Sequence, residues 1–249
     1  MKRVAFVSGA ARGIGRGIAE KLAADGRAVA IGDLLGEEAR ETALAIEKNG
    51  GSAIAVTLDV TSTDSVAAAV AETTERLGAI DVLVNNAGWD EFHFFAETEP
   101  AFWDKVIAIN YRGVLATTHA VLAGMTARKR GRIVSIASDA GRVGSTGESV
   151  YSGCKGAVIA FSKALAREVA RYGITVNCVA PGVTDTQLLH DVMAGDRGAG
   201  ILEAVKRTVP LGRLGTPEDV AGTVAYLVSD EAGYMTGQVV SISGGLTMS

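Results

Sequence analysis

The chain has 249 residues, of which 48% are hydrophobic and 21% charged, and its formal net charge is −4. This balance is typical of a folded globular domain, and the slight negative charge argues against nucleic acid as a partner, because nucleic-acid binders concentrate positive charge. No uninterrupted apolar run approaches the roughly 18 residues of a membrane span, so we expect a cytoplasmic protein without a membrane partner.

Short apolar runs rich in β-branched residues alternate with longer amphipathic segments along the chain. The runs that predict strands are residues 4–7, 28–31, 53–56, 82–84, 132–136, 174–177 and 238–242. The segments with helical periodicity are residues 13–25, 37–49, 63–77, 99–126, 152–172 and 217–229. This alternation predicts repeated βαβ units and hence an α/β fold, in which helices cover both faces of a parallel sheet. No linker or change of composition divides the chain, so we expect residues 1–249 to form one domain.

A glycine-rich segment follows the first predicted strand and leads directly into the first predicted helix. Gly9, Gly13 and Gly15 permit a tight turn and a close approach of the backbone to a phosphate. Ile14 lies where the helix starts, and the amide groups of a helix N-terminus bind anions. The segment therefore predicts the binding site of a nucleotide phosphate.

Asp33 and Arg12 favour different dinucleotides. Asp33 ends the second predicted strand, where a carboxylate accepts hydrogen bonds from a ribose 2′-hydroxyl and repels a 2′-phosphate, which favours NAD. The guanidinium of Arg12 is a group that pairs with a 2′-phosphate, which favours NADP. We give Asp33 the greater weight and predict NAD as the cofactor. Asp59 and Val60, after the third strand, are predicted to meet the adenine, although Asp59 also suits a helix cap.

Further polar and glycine positions extend this pattern to the end of the chain. They are residues 85–88 (Asn-Asn-Ala-Gly), Asn110, Ser138, Tyr151 with Lys155, Pro181-Gly182 with Thr184, and residues 236–245. In this order and spacing they resemble the short-chain dehydrogenase/reductase family, in its branch of single-domain enzymes. The resemblance implies a Rossmann-type, doubly wound sheet of seven parallel strands, a homotetramer, and NAD(P)-dependent oxidation or reduction without a metal.

Tyr151 and Lys155 are four residues apart at the start of a predicted helix, so their side chains share one face. An ammonium beside a phenol favours the phenolate, so we expect Lys155 to lower the pKa of Tyr151 from about 10 and make it the general acid/base. Ser138 ends the fifth strand, and its hydroxyl is predicted to hydrogen-bond the substrate oxygen. The resemblance implies that Asn110 holds a water molecule that links Lys155 to solvent.

The same resemblance assigns further residues to the cofactor. They are Asn86, Ala87, Gly88, Pro181, Gly182, Val183 and Thr184, together with Tyr151 and Lys155, which lie next to the reacting end of the cofactor. Residues 184–212 contain several glycines and show weak periodicity. This segment suits either a lid over a substrate cleft or an ordinary surface loop.

The substrate prediction rests on loops outside these motifs. Residues 89–95, Trp-Asp-Glu-Phe-His-Phe-Phe, are dense in aromatic side chains in a chain that is only 5% aromatic, which favours a ring-shaped or apolar substrate. Together with residues 98–100, 137–145 and 184–186 they resemble the 2-hydroxycyclohexanecarboxyl-CoA dehydrogenases. That resemblance implies NAD-linked oxidation of a β-hydroxyacyl-CoA.

Several cationic side chains are candidates for binding substrate phosphates, and several alternative functions also fit the sequence. The candidates for pairing with the phosphates of an acyl-CoA are Arg142, Arg197, Lys206, Arg207 and Arg213. The nearest alternative is an NADPH-dependent 3-oxoacyl-(acyl-carrier-protein) reductase, which shares nearly all of these motifs, followed by another secondary-alcohol dehydrogenase. A nucleotide-sensing regulator without catalysis is a different class of function, and the retention of Tyr151 and Lys155 argues against it.

Overall fold

The structure is a computed structural model that describes residues 3–192, 204 and 206–248. Seven strands form one sheet in the order β3-β2-β1-β4-β5-β6-β7, and every neighbouring pair is parallel. The strands are β1 Val4–Ser8, β2 Ala28–Asp33, β3 Ser52–Thr57, β4 Ile80–Asn85, β5 Gly131–Ile136, β6 Ile174–Pro181 and β7 Val239–Ile242. This confirms the predicted doubly wound parallel sheet, and β6 runs on to Pro181 instead of ending at residue 177.

Helices cover both faces of this sheet. They are α1 Gly13–Ala24, α2 Gly36–Lys48, α3 Thr63–Leu77, α4 Pro100–Ile107, α5 Gly113–Arg128, α6 Ala140–Val143, α7 Ser149–Val169, α8 Gln187–Val192 and α9 Pro217–Leu227. Alternate residues of a strand point to opposite faces. In β1, Ala5 and Val7 join a core formed with α1, α2 and α9, whereas Val4 and Phe6 join a core formed with α3, α5 and α7.

The helix predicted over residues 99–126 is interrupted by a π-helical turn at Ala108–Arg112, between α4 and α5. Asn110 in that turn is fully buried, and its Nδ2 donates to the carbonyl of Val106 at 2.9 Å. A side chain that inserts into the backbone ladder widens a helix, and such turns recur at functional sites. By length and composition Pro100–Arg128 also meets the criterion for a membrane span, which core helices of soluble proteins meet as well.

The start of α9 fixes the position of α1. Thr216 Oγ1 accepts a hydrogen bond from Asp219 N at 3.4 Å, and the Asp219 carboxylate accepts one from Thr216 N at 2.8 Å. These two bonds form a capping box. Gly17 of α1 faces this corner, where an added Cβ would lie 2.8 Å from Pro217 Cβ. The close approach holds α1, and the glycine segment before it, against the sheet.

Candidate active site

A cleft of about 1390 Å³ opens at the carboxyl ends of the strands. It lies beside β1 and β4, where the winding of the sheet reverses, which is the usual binding crevice of open α/β sheets. The predicted site residues that line it are Gly9, Arg12, Gly13, Ile14, Asp33, Asp59, Val60, Asn86, Ala87, Gly88, Ser138, Tyr151, Lys155, Pro181, Gly182, Val183 and Thr184. Gly15 and Asn110 are buried behind this lining. The volume exceeds that of an ordinary single-ligand pocket.

The glycine segment turns tightly and packs closely against the end of β4. Gly9 and Gly13 have φ angles of +65° and +58°, in the left-handed region that suits glycine. An added Cβ on Gly15 would lie 2.1 Å from the carbonyl oxygen of Gly9. Arg12, the N-cap residue of α1, makes no side-chain cap, so the first-turn amides are available to an anion.

Hydrogen bonds that the sequence did not reveal join the glycine segment to β4. Ser8 Oγ accepts bonds from Asn86 N at 3.0 Å and from Ala87 N at 3.1 Å. Asn86 Nδ2 donates to Gly9 O at 2.8 Å and to Ser8 O at 3.1 Å. The side chains of Ser8 and Asn86 therefore hold the two halves of the nucleotide end together.

Backbone amides fix the carboxylate of Asp33 at the end of β2. Its Oδ2 accepts from Ala11 N at 2.9 Å, and its Oδ1 accepts from Leu35 N at 3.0 Å. A carboxylate has about four acceptor positions, so each oxygen keeps room for a further hydrogen bond. The Asp33 carboxylate thus stands in the cleft lining with its orientation set by the fold.

Asp59 does not cap the helix that follows it. Its Oδ1 accepts from Thr61 N at 2.8 Å and from Thr61 Oγ1 at 2.6 Å, which closes the turn after β3. The cap of α3 is Ser62, whose Oγ accepts from Ser65 N at 3.2 Å. The helix-capping role considered for Asp59 is therefore wrong, and Asp59 lies with Val60 in the lining of the cleft.

Tyr151 and Lys155 project from the first turns of α7 toward the end of β5. Lys155 Nζ lies 5.4 Å from the centroid of the Tyr151 ring and donates to Ile136 O at 2.9 Å. The Lys155 side chain is buried, and this burial lowers its pKa to about 8. The Ser138 hydroxyl lies close enough to Tyr151 for a side-chain hydrogen bond that lowers the pKa of the phenol. The structure thus brings Ser138, Tyr151 and Lys155 together as the sequence predicts.

The electrostatic surroundings of Tyr151 differ from the expectation. Burial raises the pKa of Tyr151 above its usual value, and the carboxylates of Glu148 and Asp90 raise it further, while the bond to Ser138 opposes them. The prediction that Lys155 lowers the pKa of Tyr151 is therefore wrong. The Lys155 ammonium donates a hydrogen bond to the Ile136 carbonyl. Two carboxylates act on the phenol, and the local sequence does not identify either of them.

Asn110 holds the loop that follows β4. Besides its bond to Val106, its Nδ2 donates to Trp89 O at 2.6 Å, and its Oδ1 accepts from Trp89 N at 3.3 Å. The ring of Trp89 is fixed on its other side, because Lys105 Nζ lies 3.4 Å from its centroid. The predicted water-holding role of Asn110 stays a prediction, whereas its role in anchoring Trp89 is visible in these bonds.

The aromatic segment 89–95 contributes two aromatic side chains to the cleft. Trp89 and Phe92 line it, whereas Phe94 and Phe95 are 53% and 56% exposed. Phe95 stacks on Trp103 with a centroid distance of 5.5 Å. The expected apolar wall therefore exists, but only part of the segment builds it.

Asp90 and Glu148 are the acidic residues of this wall, and the sequence reading missed both. Asp90 is 7% exposed, and its Oδ2 has no hydrogen-bond partner among the described residues. Burial and the Glu148 carboxylate raise the pKa of Asp90 to about 7. Both residues line the cleft. The available signal was a pair of adjacent acids, Asp90 and Glu91, inside an aromatic string.

The proposed lid and the phosphate-binding cations are partly outside the described residues, which omit 193–203 and 205. Arg197 lies in that gap. In the described part of the segment, Thr184, Thr186, Gln187 and Leu189 line the cleft. Arg213 makes two bonds to Asp219, at 2.5 and 2.8 Å, and Arg142 makes one to Asp139 at 3.5 Å. Arg142, Lys206, Arg207 and Arg213 all lie outside the cleft lining, so their assignment to an acyl-CoA stays a prediction.

Comparison with known proteins gives one family and a set of full-length relatives. Residues 9–247 match the family model described as enoyl-(acyl carrier protein) reductase. Short-chain reductase protein NovJ of Streptomyces niveus is 40% identical, over 97% of this chain and 93% of its own. A 3-oxoacyl-(acyl-carrier-protein) reductase of Synechocystis is 40% identical, over 99% and 97%. The (2S)-((R)-hydroxy(phenyl)methyl)succinyl-CoA dehydrogenase subunit BbsD of Thauera aromatica is 37% identical, over 99% and 97%.

Proposed function

Because the chain belongs to the short-chain dehydrogenase/reductase family of oxidoreductases, we propose that it transfers a hydride between NAD and a β-hydroxyacyl-CoA or its keto form. One observation carries the proposal. Ser138, Tyr151 and Lys155 meet the glycine segment in a single cleft large enough for a dinucleotide and a substrate. This places a proton-exchanging phenol beside a predicted nucleotide site.

The cleft fits a nicotinamide dinucleotide along its length. The uncapped start of α1 offers amides to the pyrophosphate, and Asp33 offers a carboxylate to the adenosine ribose. When bound, the nicotinamide supplies or accepts the hydride. Pro181, Gly182 and Thr184, at the end of β6, lie on the side of the cleft that would hold this ring.

The rigidity of Asp33 supports NAD over NADP. Two backbone amides hold its carboxylate, so it cannot turn away from a 2′-phosphate without losing both bonds. A fixed carboxylate beside a dianion is strongly unfavourable. Arg12 lines the same cleft and is the group that favours NADP.

Tyr151 is the residue that exchanges the proton with the substrate oxygen. In the reduction of a ketone its phenol donates the proton, and a raised pKa keeps this phenol protonated. In the oxidation of an alcohol the phenolate must accept the proton, so oxidation is favoured at higher pH. Ser138 donates a hydrogen bond to the same substrate oxygen as charge develops on it.

An acyl-CoA with a ring is the substrate that the apolar wall and one relative support. Trp89 and Phe92 offer ring faces in the cleft, and the relative from Thauera aromatica is named as a dehydrogenase of a phenyl-bearing acyl-CoA. The second candidate is a 3-oxoacyl-(acyl-carrier-protein) reductase, since several relatives carry that name.

Initial rates with the purified full chain test this proposal. The substrates are 2-hydroxycyclohexanecarboxyl-CoA and 3-hydroxybutyryl-CoA with NAD or NADP, and an acetoacetyl thioester of acyl carrier protein with NADH or NADPH. We expect the highest kcat/KM with NAD and the ring thioester. Turnover confined to NADPH and the carrier-protein thioester would instead establish the second candidate.

A further inference from the structure

We infer that Asp90 and Glu148 make the substrate end of the cleft selective for an uncharged acyl group, so that it takes hydroxyacyl thioesters or esters and rejects free hydroxy acids. The inference rests on the proposed function and adds the charge of the accepted substrate to it, a point on which this chain would differ from the Thauera aromatica relative, whose named succinyl-CoA substrate carries a free carboxylate. It concerns residues that belong to neither the nucleotide end nor the proton-exchanging group.

The fold holds Asp90 firmly in the wall of the cleft. Its neighbour Trp89 is bound through both backbone groups by the buried Asn110, and Lys105 covers the Trp89 ring. Asp90 itself is 7% exposed, and Oδ2 is fully buried and makes no bond to any described residue. Buried polar atoms normally have a partner, so the unpartnered oxygen makes it costly to place a second negative charge beside this carboxylate.

Glu148 reaches the same place from a different element. It is the N-cap residue of α7, it makes no side-chain cap, and it stands three positions before Tyr151. Glu148 and Asp90 line both the main cleft and a narrow crevice beside it. The two carboxyl groups therefore come from separate loops and share one cleft with the phenol of Tyr151, whose pKa both of them raise.

Other charged groups around Asp90 do not cancel this negative field, because Lys105, a cation of the same lining, lies over the Trp89 ring and its neighbour Asp104 lines the cleft as well. Glu91 adds a like charge, and His93 opposes it from an exposed position in which it also pairs with Glu91 at 3.3 Å. Lys155 is the cation beside Tyr151, but its ammonium is bound to Ile136 O, and burial lowers its pKa to about 8. An incoming carboxylate would lose its water next to two carboxyl groups and meet a cation that is already engaged.

A neutral acyl group meets the opposite situation. It brings no charge to be desolvated and adds no negative charge beside Asp90 and Glu148. Placing like charges together is the usual way in which a site rejects the wrong ligand. Asp90 and Glu148 therefore determine which substrates bind, whereas Tyr151 exchanges the proton in the reaction.

Substitutions that remove charge but keep shape test the inference. They are Asp90→Asn and Glu148→Gln, with Glu97→Gln as the control, because Glu97 is an exposed acid outside the cleft lining. The quantity measured is the ratio of kcat/KM for 3-hydroxybutyryl-CoA to kcat/KM for free 3-hydroxybutyrate. We expect each cleft substitution to lower this ratio roughly tenfold by improving turnover of the free acid, and the control to leave it within about twofold.

A binding experiment separates the inference from the proposed function, because it needs no turnover. Calorimetry compares cyclohexanecarboxamide with cyclohexanecarboxylate on the enzyme–NADH complex. We expect the wild type to prefer the amide, and the preference to shrink in Asp90→Asn and Glu148→Gln. The preference of the wild type should also shrink between pH 8 and pH 6, as Asp90 takes up a proton, and this pH dependence should vanish in Asp90→Asn.

The two ideas fail in different ways. If no hydroxyacyl thioester is turned over but the amide preference responds to the substitutions, the proposed function fails and the charge selectivity stands. If the wild type binds the carboxylate as tightly as the amide, or if neither substitution changes the preference, the inference is overturned whatever the turnover. Should Asp90→Asn fail to fold, Glu148→Gln decides the question on its own.

Discussion

The side-chain amide of Asn110 clasps the backbone of Trp89, with Asn110 Nδ2 2.6 Å from Trp89 O and Asn110 Oδ1 3.3 Å from Trp89 N. One residue beyond Trp89 is Asp90, in the wall of the cleft. A buried asparagine in a π-helical turn therefore sets the position of a substrate-facing loop.

Replacing Asn110 by alanine should loosen this loop. Asn110→Ala leaves the backbone groups of Trp89 and the carbonyl of Val106 without these partners, and each unsatisfied buried group costs about 1–3 kcal/mol. We expect a lower free energy of unfolding in urea and a lower kcat/KM. Asn49→Ala, at an exposed position after α2, is the control and should change neither. Equal stability of the two variants would contradict the clasp.

The glycine segment tolerates no side chain at its third glycine. Gly15→Ala would place a Cβ 2.1 Å from Gly9 O, so the segment must shift, at a cost of about 1–3 kcal/mol and with weaker NADH binding. Gly222→Ala is the matched change in α9, where a Cβ meets nothing within 4 Å and should add about 0.5–1 kcal/mol of stability. Urea unfolding and NADH fluorescence titration measure both effects. Undiminished NADH affinity in Gly15→Ala would refute this account of the segment.

Removing the charge of Asp33 should shift the cofactor preference toward NADP. Asp33→Asn keeps a carbonyl for one of the two backbone amides but removes the repulsion of a 2′-phosphate. We expect the ratio of kcat/KM with NADP to kcat/KM with NAD to rise by roughly tenfold or more. Asp64→Asn, an exposed acid in the first turn of α3, should leave the ratio unchanged. An unchanged ratio in Asp33→Asn would mean that another group sets the preference.

The buried carboxyl of Asp90 makes stability depend on pH in a defined direction. In the folded protein its pKa is about 7, against an ordinary value of 3.8. Between these values the unfolded chain releases the proton that the folded chain keeps, so this group's contribution to stability is fully present below about pH 4 and is lost as pH rises through about 7. Asp90→Asn removes that loss. Its melting temperature minus that of the wild type should therefore increase from pH 4 to pH 8, and a flat difference would show that Asp90 ionises normally.

Local sequence pattern was sufficient for the fold and for much of the candidate site. The glycine segment stands between a strand and a helix, and Tyr151 and Lys155 are a helical turn apart, so their neighbours in space are also neighbours in sequence. The parallel sheet with helices on both faces follows from the βαβ rhythm, whereas the doubly wound arrangement of seven strands was implied by the family resemblance. These residues could be identified because the residues that determine their roles lie close to them in the sequence.

Other features depend on contacts between distant segments. Ser8 gains its role from Asn86, 78 residues away, and Asp90 becomes unusual only when the fold buries it and brings Glu148 near it. The π-helical turn at Asn110 has the same apolar spacing as the helices around it, so periodicity predicts one continuous helix. The expected lowering of the Tyr151 pKa is wrong because it also depends on distant segments: the sequence places Lys155 nearby but does not show the two carboxylates that raise this pKa.

The most direct test of the central claim is a comparison of Tyr151→Phe with Tyr172→Phe, a half-buried tyrosine outside the cleft lining. The measurement is NAD-linked kcat on the ring hydroxyacyl-CoA, together with NADH affinity. The account predicts that Tyr151→Phe binds NADH as the wild type does but loses about 10²–10⁴-fold in kcat, whereas Tyr172→Phe keeps its activity. A Tyr151→Phe enzyme with wild-type kcat would contradict the assignment of Tyr151 as the proton-exchanging residue.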